Sequence, residues 1–332
     1  MRSHANTAIL LGLALAGATF TGPAPASLMT FKTYTGNVGY SSDGFGSIDQ
    51  SGTISASVPI GSTVVAAYLY SATFNSPGFA GGTLNGTALS YEPAVINTDA
   101  CCALASQRMD VTSIVKPIID GGPGGIYNFP LTETDSTQDG EALVVVYTNP
   151  ALSTATFGIL DGFARTSGDT TAINFAKPLD PSDAGFFAEM FLGDGFSCCG
   201  QMSTVAVNGT TITQAAGNND DSVDGFASNG NLITVGGFDD PYSSLLPSYD
   251  ADHERYDLVP YITAGDTSIT VNTFNSSADD NIFLAGFYVT GIASINEPPT
   301  GVPEPGSLGL FGIGLGALVF GLTRRNRRHA AA

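Results

Sequence analysis

The sequence predicts an all-β protein: two tandem β-sandwiches of jelly-roll or Greek-key kind, with an N-terminal signal peptide and a C-terminal transmembrane helix. Three observations predict it. Between residues 27 and 293, short runs rich in Val, Ile, Thr, Tyr and Phe are separated by clusters of Gly, Asn, Asp and Ser. No stretch beyond about ten residues keeps a helical apolar period. The same landmarks recur in the same order in two halves, the mark of a duplication. Charged residues make up only 12% of 332 residues while glycine fills 41 positions, which suits a packed, turn-rich chain and not a disordered one.

At the N-terminus, Arg2 and His4 precede an apolar run from Ala8 to Ala18. Gly22-Pro23 and Ala24-Pro25-Ala26 follow. Charge, apolar stretch and small residues in that order form an export signal, so residues 1–26 are read as a signal peptide cleaved before Ser27.

The body divides into a first sandwich at 27–165, a second at 166–293 and a linker at 294–302. Thr63 to Thr73, Ala142 to Tyr147 and Ile282 to Thr290 are apolar enough to be central strands. Asn85-Gly86 and Asn208-Gly209 lie between β-prone residues and predict two-residue hairpin turns, in which both positions need positive φ. The repeat runs from Tyr70 to Asn85-Gly86, Arg108-x-Asp110 and Tyr147 in one half. In the other it runs from Phe191 to Asn208-Gly209, Arg255-x-Asp257 and Tyr288. The second half therefore holds an insertion between its Asn-Gly turn and its Arg-x-Asp. The matched arginines are either a repeated ligand clamp or, more economically, structural fasteners of loops.

At the C-terminus, Pro303-Glu304-Pro305 precedes Gly306 to Thr323, which carry no charge, and then Arg324, Arg325, Arg327 and Arg328. At about 1.5 Å per residue those eighteen positions reach roughly 27 Å, enough to cross a bilayer. Basic residues stay on the cytoplasmic flank, which leaves the acidic body outside. The glycines within the segment resemble a loose dinucleotide motif, but no strand precedes them.

The order of Val302-Pro303-Glu304-Pro305, a short apolar segment and a basic terminus resembles the PEP-CTERM sorting signal of Gram-negative bacteria. The resemblance covers residues 303–332. It implies an exosortase as partner, processing near Pro303 to Pro305, and delivery from a transient inner-membrane anchor to the cell surface or extracellular matrix. Flanking prolines hold Glu304 in extended backbone, open to such an enzyme.

Composition narrows the chemistry. Removing both ends leaves six basic and 29 acidic residues on 27–302, a surface that repels phosphate backbones and excludes nucleic acid as a partner. His253 is the one histidine left there, which excludes multi-histidine zinc and haem sites.

Cys101-Cys102 and Cys198-Cys199 are disulfide candidates in an exported chain, and four cysteines permit three connectivities. In the insertion, Asp220, Ser222 and Asp224 before Gly225 imitate the opening of a calcium loop. Position twelve is Asn231, so the loop is not an EF-hand, and Asp220 and Asp224 are at most ligands of a looser calcium site. Calcium is the single cofactor this pattern admits. Asp250, Asp252, His253 and Glu254 offer the paired carboxylates that glycoside hydrolysis would need.

The favoured reading is a non-enzymatic, structural or adhesive surface protein of the matrix or biofilm. Its partners would be signal peptidase with the export machinery, exosortase, exopolysaccharide and, through its tail, the membrane. The alternative is a calcium-assisted carbohydrate-binding module, and the least favoured is an extracellular hydrolase.

Overall fold

The computed structural model describes residues 28–46, 49–74, 80–97, 104–195, 202–217, 232–275 and 281–296. The chain is all-β, and the three apolar runs singled out above are its longest central strands. In order come β1 (Met29–Gly36), β2 (Val38–Phe45), β3 (Ser51–Val58), β4 (Thr63–Phe74), β5 (Gly82–Leu84), β6 (Thr87–Ala88), β7 (Val95–Ile96) and β8 (Leu104–Asp110). A two-turn helix α1 (Thr112–Ile119) leads to β9 (Gly125–Glu133) and β10 (Gln138–Thr148). The second half holds β11 (Ala155–Asp161), β12 (Thr170–Phe175), β13 (Ala188–Gly195), β14 (Ser203–Val207), β15 (Thr210–Ala216) and β16 (Ile233–Val235). It ends with β17 (Arg255–Asp257), β18 (Ser268–Asn275), β19 (Asn281–Thr290) and β20 (Ala293–Ile295).

All pairings among the described residues are antiparallel. In the first half one sheet has the order β2-β10-β4-β8-β7 and faces another ordered β3-β9-β5-β6. The second half repeats both orders, as β11-β19-β13-β17 and β12-β18-β14-β15. First strand beside last, then third and sixth, with the remaining four in the opposing sheet, is jelly-roll topology. The registers repeat as well: Tyr70 lies opposite Arg108, and Phe191 lies opposite Arg255. Both predicted hairpins form, with φ of 48° at Asn85 and Asn208 and of 73° and 80° at Gly86 and Gly209. Backbone of that hand joins two right-twisted strands without splaying them, and glycine reaches it at no steric cost.

The insertion interrupts a strand. β16 and β17 share the outer edge of β13, at Gly193–Gly195 and Glu189–Phe191, and the segment 236–254 leaves the sheet between them. β8 is continuous in the equivalent place.

Among the described residues three apolar cores separate four sheets. Leu69, Leu143 and Val145 pack on Ile54, Phe129 and Leu131 inside the first jelly roll, with Val115 and Ile119 of α1 closing one side. Met190, Leu192 and Phe287 pack on Ile173, Val205 and Ile269 inside the second. Between them, Tyr68, Tyr70, Val144 and Val146 meet Phe157, Ile159, Phe191 and Phe283, so β4 and β10 are buried on both faces. Tyr40 fastens this middle layer, stacked on Phe157 at 4.5 Å between ring centroids and on Phe191 at 5.4 Å. Offset stacks of this kind add about 0.5–1.5 kcal/mol to simple burial.

Strand pairing crosses the expected boundary at residue 165. β11 is the first strand of the second jelly roll, and β1 pairs along its free edge. A short apolar run announces a strand but not the sheet it joins. The predicted signal peptide, the linker beyond Asn296 and the predicted transmembrane helix lie outside the described residues. No helix among the described residues is long and apolar enough to cross a membrane.

Candidate functional site

Every residue marked from the sequence for sorting, disulfide formation or calcium lies outside the described residues. These are Pro303, Glu304 and Pro305; Arg324, Arg325, Arg327 and Arg328; Cys101, Cys102, Cys198 and Cys199; and Asp220 and Asp224. The described residues hold the two Arg-x-Asp elements, the carboxylates flanking His253, and an acidic group that the sequence reading passed over.

The arginines are occupied by the chain itself. Arg108 on β8 binds Asp161 through Nη1 and Glu92 through Nη2 at 2.6 Å, and its guanidinium lies 3.5 Å from the ring centroid of Phe31. Tyr70 donates its hydroxyl to the same Asp161 at 3.3 Å. Burial pushes the Asp161 carboxyl above the ordinary carboxylate range, against the pull of Arg108. Arg255 on β17 donates to the carbonyls of Phe238 at 3.3 Å and Asp240 at 2.9 Å, and reaches Glu189 at 3.4 Å. Its guanidinium faces the ring of Tyr242, whose hydroxyl also donates to Glu189. The aspartates do separate work. Asp110 accepts the N–H of Thr112 at 2.9 Å and Asp257 that of Val259 at 3.0 Å, each an Asx-type contact two residues on that leads from the strand into the following helical turn. Both elements fasten loops and start turns, so the structural reading of the motif fits this geometry and the clamp reading does not.

The carboxylates flanking His253 anchor the insertion. Asp252 and Glu254 are fully buried. Asp252 accepts hydroxyls from Thr213 and, at 2.7 Å, from Ser243, while Glu254 accepts the N–H of Gly217 at 2.9 Å. Burial raises the Asp252 carboxyl, and these hydrogen bonds oppose the rise.

The unexpected group closes one end of the first jelly roll. The inward positions of β9 run Phe129, Leu131, Glu133, and those of β10 run Glu141, Leu143, Val145, Tyr147. Strand alternation thus turns two glutamates into the core at the point where apolar residues stop. Gln138 donates to Glu141 Oε1 at 2.9 Å and Ser71 to the same oxygen at 3.2 Å. Glu133 and Glu141 interact with one another, and the charge of Glu133 acts on Asp139 and that of both glutamates on the Tyr91 hydroxyl. Burial raises the carboxyl groups of Glu133 and Glu141, and it pushes Asp139 to about 8. The sequence signal was present, as a charge at inward parity in an apolar strand, but parity becomes visible only once the facing sheet is known. Among the described residues no group of three or more His, Cys, Asp or Glu side chains is placed to hold a metal ion.

A separate cleft of about 310 Å³ opens beside β20, lined by Phe175, Pro178, Leu179, Phe186 and Ile292 together with Lys177.

Comparison with known proteins finds the PEP-CTERM protein-sorting motif at residues 301–328. No curated protein matches the sequence. Among solved structures, the chain is similar to BuGH86wt in complex with neoagarooctaose, with 10% identity and a TM-score of 0.23, over 82% of this chain and 34% of that one. A variant of the same protein with the same ligand gives 10% identity and a TM-score of 0.22, over 84% and 35%. The chain thus spans about a third of the length of these structures.

Proposed function

We propose, for a chain that carries a PEP-CTERM protein-sorting motif, that it is an exported surface protein handed to an exosortase and retained in the extracellular matrix as a structural or adhesive element. The observation that carries this reading is the position of the motif at 301–328, directly after the last described strand and before an uncharged segment closed by four arginines. An export signal at 1–26 and a tail spanning the inner membrane with its arginines inside place the jelly rolls outside, and cleavage near Pro303 to Pro305 releases them. Two features of the body support a role outside the cytoplasm without chemistry of its own. Its 29 acidic residues against six basic ones on 27–302 favour solvation and mutual repulsion over adsorption to nucleic acid. The repeated arginines, the residues best suited to grip an anionic substrate, are consumed by internal loops.

The test is mass spectrometry of the surface-exposed product from cells with and without exosortase. The expected product begins at Ser27 and lacks the residues beyond the Pro-Glu-Pro element only where exosortase is active. Replacing Pro303, Glu304 and Pro305 together by alanine should leave the full tail in the membrane fraction. A surface product that keeps residues 303–332 in exosortase-competent cells overturns the proposal.

A further inference from the structure

We propose that the acidic end of the first jelly roll binds a hard divalent cation, calcium, held between Glu133 and Glu141. This inference does not depend on how the chain is sorted. It starts from buried carboxyl oxygens that no N–H or O–H donor of the described residues reaches. Glu133 Oε1, Asp139 Oδ2 and Glu141 Oε2 are each buried without a hydrogen-bond donor among the described residues. Glu141 is fully buried, and Glu133 and Asp139 are 9% and 6% exposed. An unpaired buried carboxylate oxygen is costly, and two glutamates turned toward one another multiply the cost. None of the ion pairs among the described residues reaches this group. Among the described residues no cationic side chain is paired with these carboxyls, so a bound cation would supply the missing charge.

The donor chemistry selects its class. All available atoms are oxygens: the free carboxylate oxygens of Glu133 and Glu141, with the hydroxyls of Ser71 and Tyr91 beside them. No sulfur or imidazole of the described residues enters the group, which argues against zinc and copper. Calcium accepts about six to eight oxygens in an irregular shell and lets water complete it, whereas magnesium demands a near-octahedral one. Gln138 braces the site by donating to Glu141 Oε1 and to the carbonyl of Gly81 at 3.1 Å, while its own carbonyl accepts the N–H of Gly81 and of Thr134, each at 3.2 Å. A cation here would therefore tie β4, β9, β10 and the start of β5 together where the apolar core has ended.

The experiment uses the full-length chain in mild detergent, melted in millimolar calcium chloride and in chelator. Calcium should raise the melting temperature by at least about 3 °C, the shift a ligand well above its dissociation constant produces in a protein of this size. Glu133→Gln and Glu141→Gln should each remove most of that shift while folding in chelator, because burial already favours the neutral form of each carboxyl and glutamine keeps its shape. As a second readout, terbium(III) replaces calcium and is excited through tyrosine; the chain has no tryptophan to compete. Emission should saturate with added terbium, be displaced by calcium, and fall in Tyr91→Phe. No shift and no emission overturns the site, and so does a calcium shift that survives both glutamine variants, which would place the ion elsewhere.

Discussion

Gly286→Ala should destabilise the protein by about 3 kcal/mol, the upper end of the usual cost of overpacking a core. Gly286 on β19 lies directly opposite Phe191 on β13. A Cβ at this position would sit 1.9 Å from Phe191 Cε1 and 2.5 Å from Cζ. A ring at the end of a side chain can often move aside, but this one is fully buried and stacked on Tyr40, which is itself stacked on Phe157. Relief must displace the layer that joins the two jelly rolls. Urea unfolding of the single variant measures the loss, and the double variant Gly286→Ala with Phe191→Leu should recover a substantial part of it. Additive single effects would show that the contact is not the cause.

Arg255→Ala should cost about 3 kcal/mol, because removing one partner strands the other as a buried charge. Glu189 is 8% exposed and receives Arg255 and the hydroxyl of Tyr242. The same guanidinium holds the carbonyls of Phe238 and Asp240. Two readouts separate these roles. Stability lost through Glu189 should be partly restored in Arg255→Ala with Glu189→Gln. Protease cleavage between Gly236 and Leu246 should rise in Arg255→Ala and remain high in the double variant. A variant as stable and as protease-resistant as the parent would refute the fastening role.

How far the fold could be read from sequence is clearest in the repeat. Tyr70 opposite Arg108 and Phe191 opposite Arg255 are the pairs that local landmarks matched, and both Asn-Gly turns adopt the backbone their composition demands. These features are short-range, so sequence carries them. Sheet membership is not short-range: β1 and β11 look like ordinary strands of a first unit, yet pair into the second. The split of β16 from β17 was legible as extra length but not as an excursion from the middle of a strand. The Glu133–Glu141 group was hidden for a related reason, since each glutamate is unremarkable among 29 acidic residues until β9 and β10 are seen to turn the same way.

β1 and β20 meet at one place, where Thr30 donates to the carbonyl of Ile295 at 3.3 Å. Entry and exit of the chain therefore share the far side of the second jelly roll. β20 is a three-residue strand that pairs with β12, and it is held as well by Thr30 of β1 and by Thr156 of β11, which accepts the N–H of Ala293 at 3.0 Å. A pull applied at Asn296 would therefore have to break contacts with three strands, and expose the buried Ala293 and Ile295, before β20 could leave the second jelly roll.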